Sequence, residues 1–276
     1  MLLLRVNYLA CTLAQSRLKA VPGSLHQGYR HGRETLFLRS PPVVASALAG
    51  LALAGCQPGT QGDASTQPDP AIRPAAIVDV TDVVADLELN IRYAGTDNFV
   101  GAKVDGYFAP KCLVHAEVAE RLAAAQRRAT GQGFRLKIFD CYRPQRAVDH
   151  FLRWAADSED TKTKTAYYPN EIKSELIGPY IAARSGHSRT AAIDLTLVEK
   201  DGNGDWVELD MGTPFDYFDA RSNTDDPRIT SEQRRNRYRL RTIMIDAGFK
   251  PYDLEWWHFS VADEPYPTTY FDFPVE

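Results

Sequence analysis

Two segments of the 276-residue chain contain the side-chain types that hydrolytic metal sites use. His187 lies in the polar loop sequence RSGHSRT, and Asp194 follows seven residues later in a β-branched run. Glu255 and His258 lie in the aromatic segment LEWWHFS near the end of the chain. A catalytic zinc commonly takes three side chains from His and carboxylate residues, which leaves a fourth position for water. His187, Asp194 and His258 could therefore bind zinc, and Glu255 could accept the proton of that water.

A third segment, FDCYRPQRA, places Arg143 where a predicted strand ends and a helix begins. Proline suits the first turn of a helix, and the residue before a proline stays extended. Arg143 could therefore hold a substrate carboxylate or stabilise an oxyanion. An isolated arginine at such a position would more commonly form a surface salt bridge, so the catalytic interpretation depends on the zinc site beside it.

Helical and strand patterns alternate from about residue 77 onwards, without internal repeats. Apolar residues make up 44% of the chain, which is ordinary for a soluble globular protein with a sizeable core. Strands interleaved with helices of about three turns predict an α+β domain. The predicted helices cover residues 116–129, 145–156, 170–183 and 231–249, and the predicted strands cover residues 134–142, 192–199 and 254–260.

The aromatic segment raises a geometric difficulty for a shared site. Residues three apart in a regular strand face opposite sides, so Glu255 and His258 can share a site only where the strand bends, bulges or ends. The aromatic composition disfavours a helix, which predicts an irregular strand. Trp256 and Trp257 would then bury large surfaces and fix the two polar side chains. An ordinary aromatic strand with polar residues at its rims is the alternative.

Six longer motifs occur in order between about residues 78 and 276: YAGTDNFVG, VDGYF, DCYRPQRAV, SGHSRTAAIDLTL, MGTPFDYFDARS and EWWHFSVADEPYPTTYFDFPV. Together they resemble the VanX-type D-alanyl-D-alanine dipeptidases, zinc enzymes related to the D-Ala-D-Ala carboxypeptidases and to the zinc domain of Hedgehog proteins. The resemblance implies a single zinc-peptidase domain of α+β class, with a small, mainly antiparallel sheet packed against helices. It implies one zinc per chain on His187, Asp194 and His258, with Glu255 as general base and acid and Arg143 stabilising the transition state.

The same resemblance implies a site for the free amino end of a dipeptide, formed by Ser185, Asp216 and Tyr93. One position departs from the family pattern, because the loop motif has glycine where this chain has Thr190. Glycine at such a place often serves a positive φ or a close backbone approach, so threonine is expected to shift the loop or alter the rate. The expected ligands remain intact.

The implied reaction is zinc-dependent hydrolysis of D-Ala-D-Ala to two molecules of D-alanine. One alternative with the same chemistry is a D,D- or L,D-carboxypeptidase that trims peptidoglycan stem peptides. Another is a non-catalytic zinc module that binds cell-wall peptide. The presence of both Glu255 and Arg143 argues against the binding module, since a binder has no need for a base.

The N-terminal region is typical of a bacterial lipoprotein leader. An apolar run at residues 43–54 follows Arg39 and has the length of a signal-peptide core, too short to span a bilayer as a stable helix. It ends in LAGC, which resembles a lipobox with Cys56 as the lipidated residue. We therefore expect a leader at 1–55, a lipid-anchored flexible linker at 56–76 and the peptidase domain at 77–276. The predicted location is the periplasmic side of the cell envelope, or the cytoplasm if the leader is not processed.

Charge and cysteine content narrow the remaining possibilities. The formal net charge is −4, and residues 56–276 alone carry 26 basic and 35 acidic residues. This excess of acid, without a basic stripe, argues against a nucleic-acid partner. Outside the leader and Cys56, the remaining cysteines are Cys112 and Cys141, which could form a disulfide in an oxidising periplasm or remain buried free thiols.

Overall fold

A computed structural model describes residues 67–276, so the predicted leader, Cys56 and most of the predicted linker lie outside the described residues. Within the described range, no helix combines the length and apolar character needed to cross a bilayer. The strands are β1 (Ile77–Asp79), β2 (Glu88–Leu89), β3 (Leu113–His115), β4 (Phe134–Asp140), β5 (Ala192–Lys200), β6 (Trp206–Glu208), β7 (Phe249–Tyr252) and β8 (Glu255–Val261). The helices are α1 (Ala116–Thr130), α2 (Gln145–Ala156), α3 (Lys164–Tyr167) and α4 (Ser231–Asp246).

The main sheet has the order β2-β4-β5-β8-β7, with β6 paired to one end of β5. Only β2 runs parallel to its neighbour, and the other pairs are antiparallel, as the expected fold requires. Seven consecutive residues of β5, from Ala192 to Val198, are buried. A strand buried on both faces lies at the centre of a sheet with cover on each side. The predicted α+β class is confirmed.

Register places polar residues of three neighbouring strands side by side. Asp194 of β5 lies opposite Asp140 of β4 on one side and opposite His258 of β8 on the other. The β4–β5 pairing shifts register between Ile138 and Asp140, so a local irregularity adjoins this row. Bulges re-aim side chains near active sites. The sheet therefore brings together residues that are far apart in sequence.

The irregular strand expected around Glu255 is present. The β7–β8 pairing shifts register between Pro251 and Tyr252, and Tyr252 then lies opposite Glu255. The two tryptophans between Glu255 and His258 are buried, and the Trp256 indole donates to the Thr213 hydroxyl at 2.9 Å. The tryptophans therefore fix the strand as predicted.

Three of the four predicted helices form near their expected bounds, whereas the helix predicted at 170–183 is wrong. Only Lys173–Leu176 forms a short 3-10 turn there. Gly178 adopts a φ of +100°, which ends regular helical geometry, and Pro179 lacks the N–H that a continuing helix would need. The segment therefore forms an irregular loop, and part of that loop forms one wall of the cavity described below.

Candidate active site

One cavity of about 250 Å³ lies at the end of the central strands, where the loop after residue 178 covers the sheet. Its walls include every residue that the sequence analysis assigned to a site. These residues are Tyr93, Arg143, Ser185, His187, Asp194, Asp216, Glu255 and His258. Their convergence from positions up to 165 residues apart makes this cavity the candidate active site.

His187, Asp194 and His258 point one ligand atom each at a common centre. The Nε2 of His187 lies 3.1 Å from the Nδ1 of His258 and 3.3 Å from Oδ2 of Asp194, and that Nδ1 lies 2.9 Å from Oδ1 of Asp194. A tetrahedral zinc with bonds of about 2.0–2.1 Å spaces its ligand atoms by about 3.3 Å. The donor set therefore fits a three-ligand metal site in both atom type and spacing.

The hydrogen bonding of His187 also suits a metal ligand. Its Nδ1 lies 2.6 Å from the backbone carbonyl oxygen of Cys141, so Nδ1 carries the proton and donates to that carbonyl. The lone pair of the neutral ring is then on Nε2, which faces Asp194 and His258. Ligating histidines usually make such a second hydrogen bond, because it fixes the tautomer and the ring orientation.

Asp194 is buried, and burial alone would raise the pKa of its carboxyl group. The neighbouring His187 and His258 outweigh that effect and lower the pKa of Asp194 well below its ordinary value. The carboxylate is therefore ionised at neutral pH, as a metal ligand must be.

Glu255 begins β8 and lines the same cavity. Burial raises the pKa of Glu255 to about 7, and the charge of Asp194 adds to the rise, while His258 and Arg143 oppose it. A carboxyl group with a pKa near neutrality can accept a proton and release it again. These properties suit a general base that later acts as an acid.

Arg143 is held rigidly, and its main partner was missed by the sequence analysis. The guanidinium donates from Nε to Asp140 at 3.0 Å, and its Nη2 lies 2.9 Å from the same carboxylate and 3.4 Å from Asp194. Asp140 is fully buried and also accepts from the Tyr107 hydroxyl at 2.6 Å. The ring of Tyr93 lies below the guanidinium, with its centroid 5.1 Å away. The sequence signal for this ion pair was an aspartate, Asp140, three residues before Arg143 at the predicted end of a strand.

Three residues were expected to bind the amino end of the substrate. Tyr93 and Asp216 contact each other in the cavity wall, whereas Ser185 lies beside His187. The Tyr93 hydroxyl donates to Oδ2 of Asp216 at 2.8 Å, and both residues are buried. Burial and the charge of Asp194 raise the pKa of Asp216 well above its usual range. The Ser185 hydroxyl accepts from the backbone N–H of His187 at 3.2 Å, so Ser185 also caps the turn that carries this histidine.

Comparison with known proteins places this chain in a family. The sequence profile of the M15 peptidases, described as D-ala-D-ala dipeptidase, matches residues 73–276. The chain belongs to this peptidase family. It is 45% identical to the D-alanyl-D-alanine dipeptidase of Enterococcus faecium over 196 residues, which cover 71% of this chain and 96% of that protein.

Two further relatives of this peptidase family have similar coverage. The D-alanyl-D-alanine dipeptidase of Streptomyces coelicolor is 43% identical over 201 residues, covering 71% of this chain and 96% of that protein. The enzyme of the same name from Enterococcus faecalis is 47% identical over 185 residues, which cover 67% of this chain and 90% of that protein. The resemblance expected from the motifs is thereby confirmed, and the chain is a peptidase of the M15 metallopeptidase type.

Thr190, at the position where the sequence analysis expects glycine, occupies a strained backbone position. Its φ is +65° in the left-handed region, and the side chain is fully buried. For a β-branched residue this conformation is a true outlier, whereas glycine adopts it freely. The Thr190 hydroxyl donates to the carbonyl oxygen of Arg189 at 2.6 Å. The turn that carries His187 therefore has a backbone shape that favours glycine, although threonine occupies the position.

The aromatic residues Tyr180 and Tyr252 also line the cavity and were not singled out from the sequence. The Tyr252 ring meets that of His258 edge-on, with centroids 5.8 Å apart. Tyr180 lies in the segment wrongly predicted to be helical. Nothing in their local sequence distinguishes them from other surface tyrosines.

Proposed function

We propose that this protein is a zinc-dependent dipeptidase that hydrolyses D-Ala-D-Ala to two molecules of D-alanine. The observation that carries the proposal is the presence, in one small cavity, of a three-ligand metal set, a carboxylate base, an arginine and a separate buried carboxylate. The relatives named D-alanyl-D-alanine dipeptidase support the choice of substrate. A cavity of about 250 Å³ lies below the range of about 300–1,000 Å³ typical for drug-sized ligands, so it suits a very small one.

In this proposal His187, Asp194 and His258 hold the zinc ion, which would supply Lewis acidity for the scissile carbonyl and for a water molecule. Glu255 takes the proton of the attacking water and passes it to the amine of the leaving D-alanine. Arg143 donates hydrogen bonds to the oxygen on which negative charge develops. Because Asp140 holds the guanidinium in place, this donor needs no reorganisation during the reaction.

Asp216 and Tyr93 are proposed to select a free amino end. A buried carboxylate with a raised pKa is stabilised by a cation, and the ammonium group of a dipeptide is a cation of suitable size. An N-acylated or longer peptide would place a neutral amide there and leave the Asp216 carboxylate unpaired. The site is therefore expected to reject stem peptides, which separates a dipeptidase from a carboxypeptidase.

An amino-acid release assay tests this proposal with D-Ala-D-Ala, N-acetyl-D-Ala-D-Ala and a stem pentapeptide side by side. We expect release of D-alanine from the free dipeptide only, and a severe loss of that activity in Asp216→Ala. Comparable catalytic efficiency on the free and acetylated dipeptides would instead favour the D,D- or L,D-carboxypeptidase alternative. A protein that binds these peptides without turnover would favour the non-catalytic binding module.

The metal assignment has its own test. Purified protein should carry about one zinc per chain, and His187→Ala should lose most of it because the triangle of ligand atoms is broken. Stoichiometric zinc retained by that variant would reject the assignment.

We further propose that the protein is a lipoprotein of the cell envelope, anchored through Cys56 after removal of residues 1–55. The LAGC motif motivates the proposal, and the pairing of Cys112 with Cys141 in a disulfide supports an oxidising compartment. Cys56→Ser should abolish lipid labelling and release the protein from membranes. Unmodified full-length protein in the cytoplasm would contradict this location.

A further inference from the structure

The disulfide between Cys112 and Cys141 lies directly behind the candidate active site. The two Cα atoms are 5.1 Å apart, and both side chains are buried. Cys141 follows Asp140, the last residue of β4, and precedes Arg143 by two positions. Cys112 immediately precedes β3, which pairs with β1 outside the main sheet. The cross-link therefore joins the end of a main-sheet strand to a neighbouring part of the fold.

The residues around Cys141 act on the site through three separate contacts. The Cys141 carbonyl oxygen accepts the Nδ1 proton of His187 at 2.6 Å. The carboxylate of Asp140 holds the Arg143 guanidinium, with Nε 3.0 Å away. The backbone N–H of Arg143 lies 3.4 Å from the His187 carbonyl oxygen. A displacement of this short segment would therefore move a metal ligand and the arginine together.

The sheet itself provides little restraint for this segment. Pairing between β4 and β5 shifts register after Ile138, and Asp140 is the last residue of β4 paired with β5, opposite Asp194. Cys141 lies beyond that ladder, and its neighbour Tyr142 has one backbone hydrogen bond to Leu113 at 3.0 Å. The disulfide is the covalent restraint at the point where the ladder has ended.

We propose that the Cys112–Cys141 disulfide is a positioning element of the active site. It fixes the Cys141 carbonyl so that the Nε2 of His187 keeps its direction toward the metal position, and it fixes Asp140 so that Arg143 keeps its direction toward the substrate. Productive sites need their groups held to within about 0.5 Å, and loss of a group that orients a metal ligand typically lowers metal affinity about 10–100-fold. The expected effect on turnover rests on the proposed peptidase function, whereas the effect on metal affinity rests on the metal site alone.

The test compares a variant with both Cys112→Ala and Cys141→Ala against Leu122→Ala as a matched control. Substitution is preferred to chemical reduction because both sulfur atoms are buried. Leu122 is a fully buried residue of α1, in a helix that carries no site residue, so its truncation destabilises the fold without touching the site. Zinc affinity is measured by competition with a chromogenic chelator. The values of kcat and KM are measured with D-Ala-D-Ala as substrate, and Tm is measured by calorimetry.

We expect both variants to lose Tm, but only the cysteine variant to lose zinc affinity by about 10–100-fold and kcat by at least tenfold, with KM changed less than kcat. If the double variant does not fold, Cys112→Ala alone keeps the Cys141 side chain and serves the same comparison. The cobalt-substituted proteins give a further readout, since a displaced His187 would change the ligand-field absorption that a lower stability alone leaves unchanged.

Two results would overturn the proposal. The first is a cysteine variant whose Tm falls while its zinc affinity and kcat stay within about twofold of wild type. The disulfide would then stabilise the fold as a whole without positioning the site. The other is wild-type protein whose Cys112 and Cys141 react as free thiols once unfolded without reductant. Wild-type protein that does not release D-alanine, while the cysteine variant still loses zinc affinity, would reject the proposed function and support the positioning role.

Discussion

Replacing Glu255 by glutamine should stabilise the metal-free protein while it removes most of the turnover. In the folded protein, burial raises the pKa of this carboxyl group from 4.5 to about 7. A shift of one pKa unit corresponds to about 1.4 kcal/mol, so keeping Glu255 ionised costs the folded state about 3 kcal/mol at high pH. Glutamine has nearly the same shape and carries no charge, which removes this cost.

The sign of the effect follows from proton binding. Between pH 4.5 and 7 the folded protein binds a proton at Glu255 that the unfolded chain has already released, so wild-type stability falls as the pH rises through this window. The gain in Glu255→Gln should therefore be close to zero at pH 4, grow between pH 4.5 and 7, and level off at about 3 kcal/mol by pH 8. A bound metal cation would favour the carboxylate, so the gain should shrink in the zinc-loaded protein.

Urea denaturation at pH 4, 6 and 8, with and without a chelator, measures this difference. Glu199→Gln is the matched control, because Glu199 is an exposed residue of β5 and its replacement should change stability by less than about 0.5 kcal/mol. In the zinc-loaded enzyme, Glu255→Gln should retain the metal while kcat falls by about 10²–10⁴-fold, since the proton acceptor is lost. A glutamine variant with no gain at pH 8, or with a gain independent of pH, would refute the burial argument. An active variant would refute the role as base.

Three further predictions concern single features of the site. Thr190→Gly should raise stability by about 1 kcal/mol in denaturant titrations, because it relieves the left-handed strain, whereas Thr190→Ala keeps a Cβ at the same φ and should not show this gain. Asp140→Asn should lower kcat in the wild-type background but have little further effect in Arg143→Ala, and additive losses in that double-mutant cycle would contradict the positioning of Arg143 by Asp140. Addition of zinc to the metal-free protein should raise Tm more at pH 8 than at pH 5, because a histidine must be deprotonated to bind the metal, and an equal rise at both values would argue against histidine ligands.

The convergence of His187, Asp194, His258 and Glu255 on one cavity could be predicted from the sequence because the chain has only six histidines and their motifs resemble those of a known family. Their partners could not be predicted. The carbonyl oxygen of Cys141 orients His187, and a backbone acceptor has no sequence signature. Tyr107 and Asp140 are 33 residues apart in sequence. Their contact depends on where the loop that carries Tyr107 meets the end of β4, after the register shift in that strand.

The wrongly predicted helix at 170–183 has a similar origin. Its apolar residues recur at helical spacing, but the glycine and proline at 178 and 179 break the helix. The loop that results is free to pass over the sheet, and Tyr180 and Ser185 reach the cavity from it. A regular helix would turn the consecutive residues 178–182 to all sides, whereas here all five line the cavity, so the error in local structure also concealed Tyr180.

The charges around the cavity connect stability with function. Four carboxylates lie in or directly behind the cavity wall, those of Asp140, Asp194, Asp216 and Glu255, and two guanidinium groups line it, those of Arg143 and Arg184. The fully ionised site therefore carries an excess of two negative charges. A divalent metal ion and a zwitterionic dipeptide would together add two net positive charges, because the dipeptide carboxylate cancels its ammonium group, and this would offset the excess. In the proposed function, the same excess of negative charge that destabilises the empty fold would favour binding of the metal and of a free amine. On this proposal, the ligand that brings a positive charge to Asp216 should be bound most tightly, and an acylated peptide brings none.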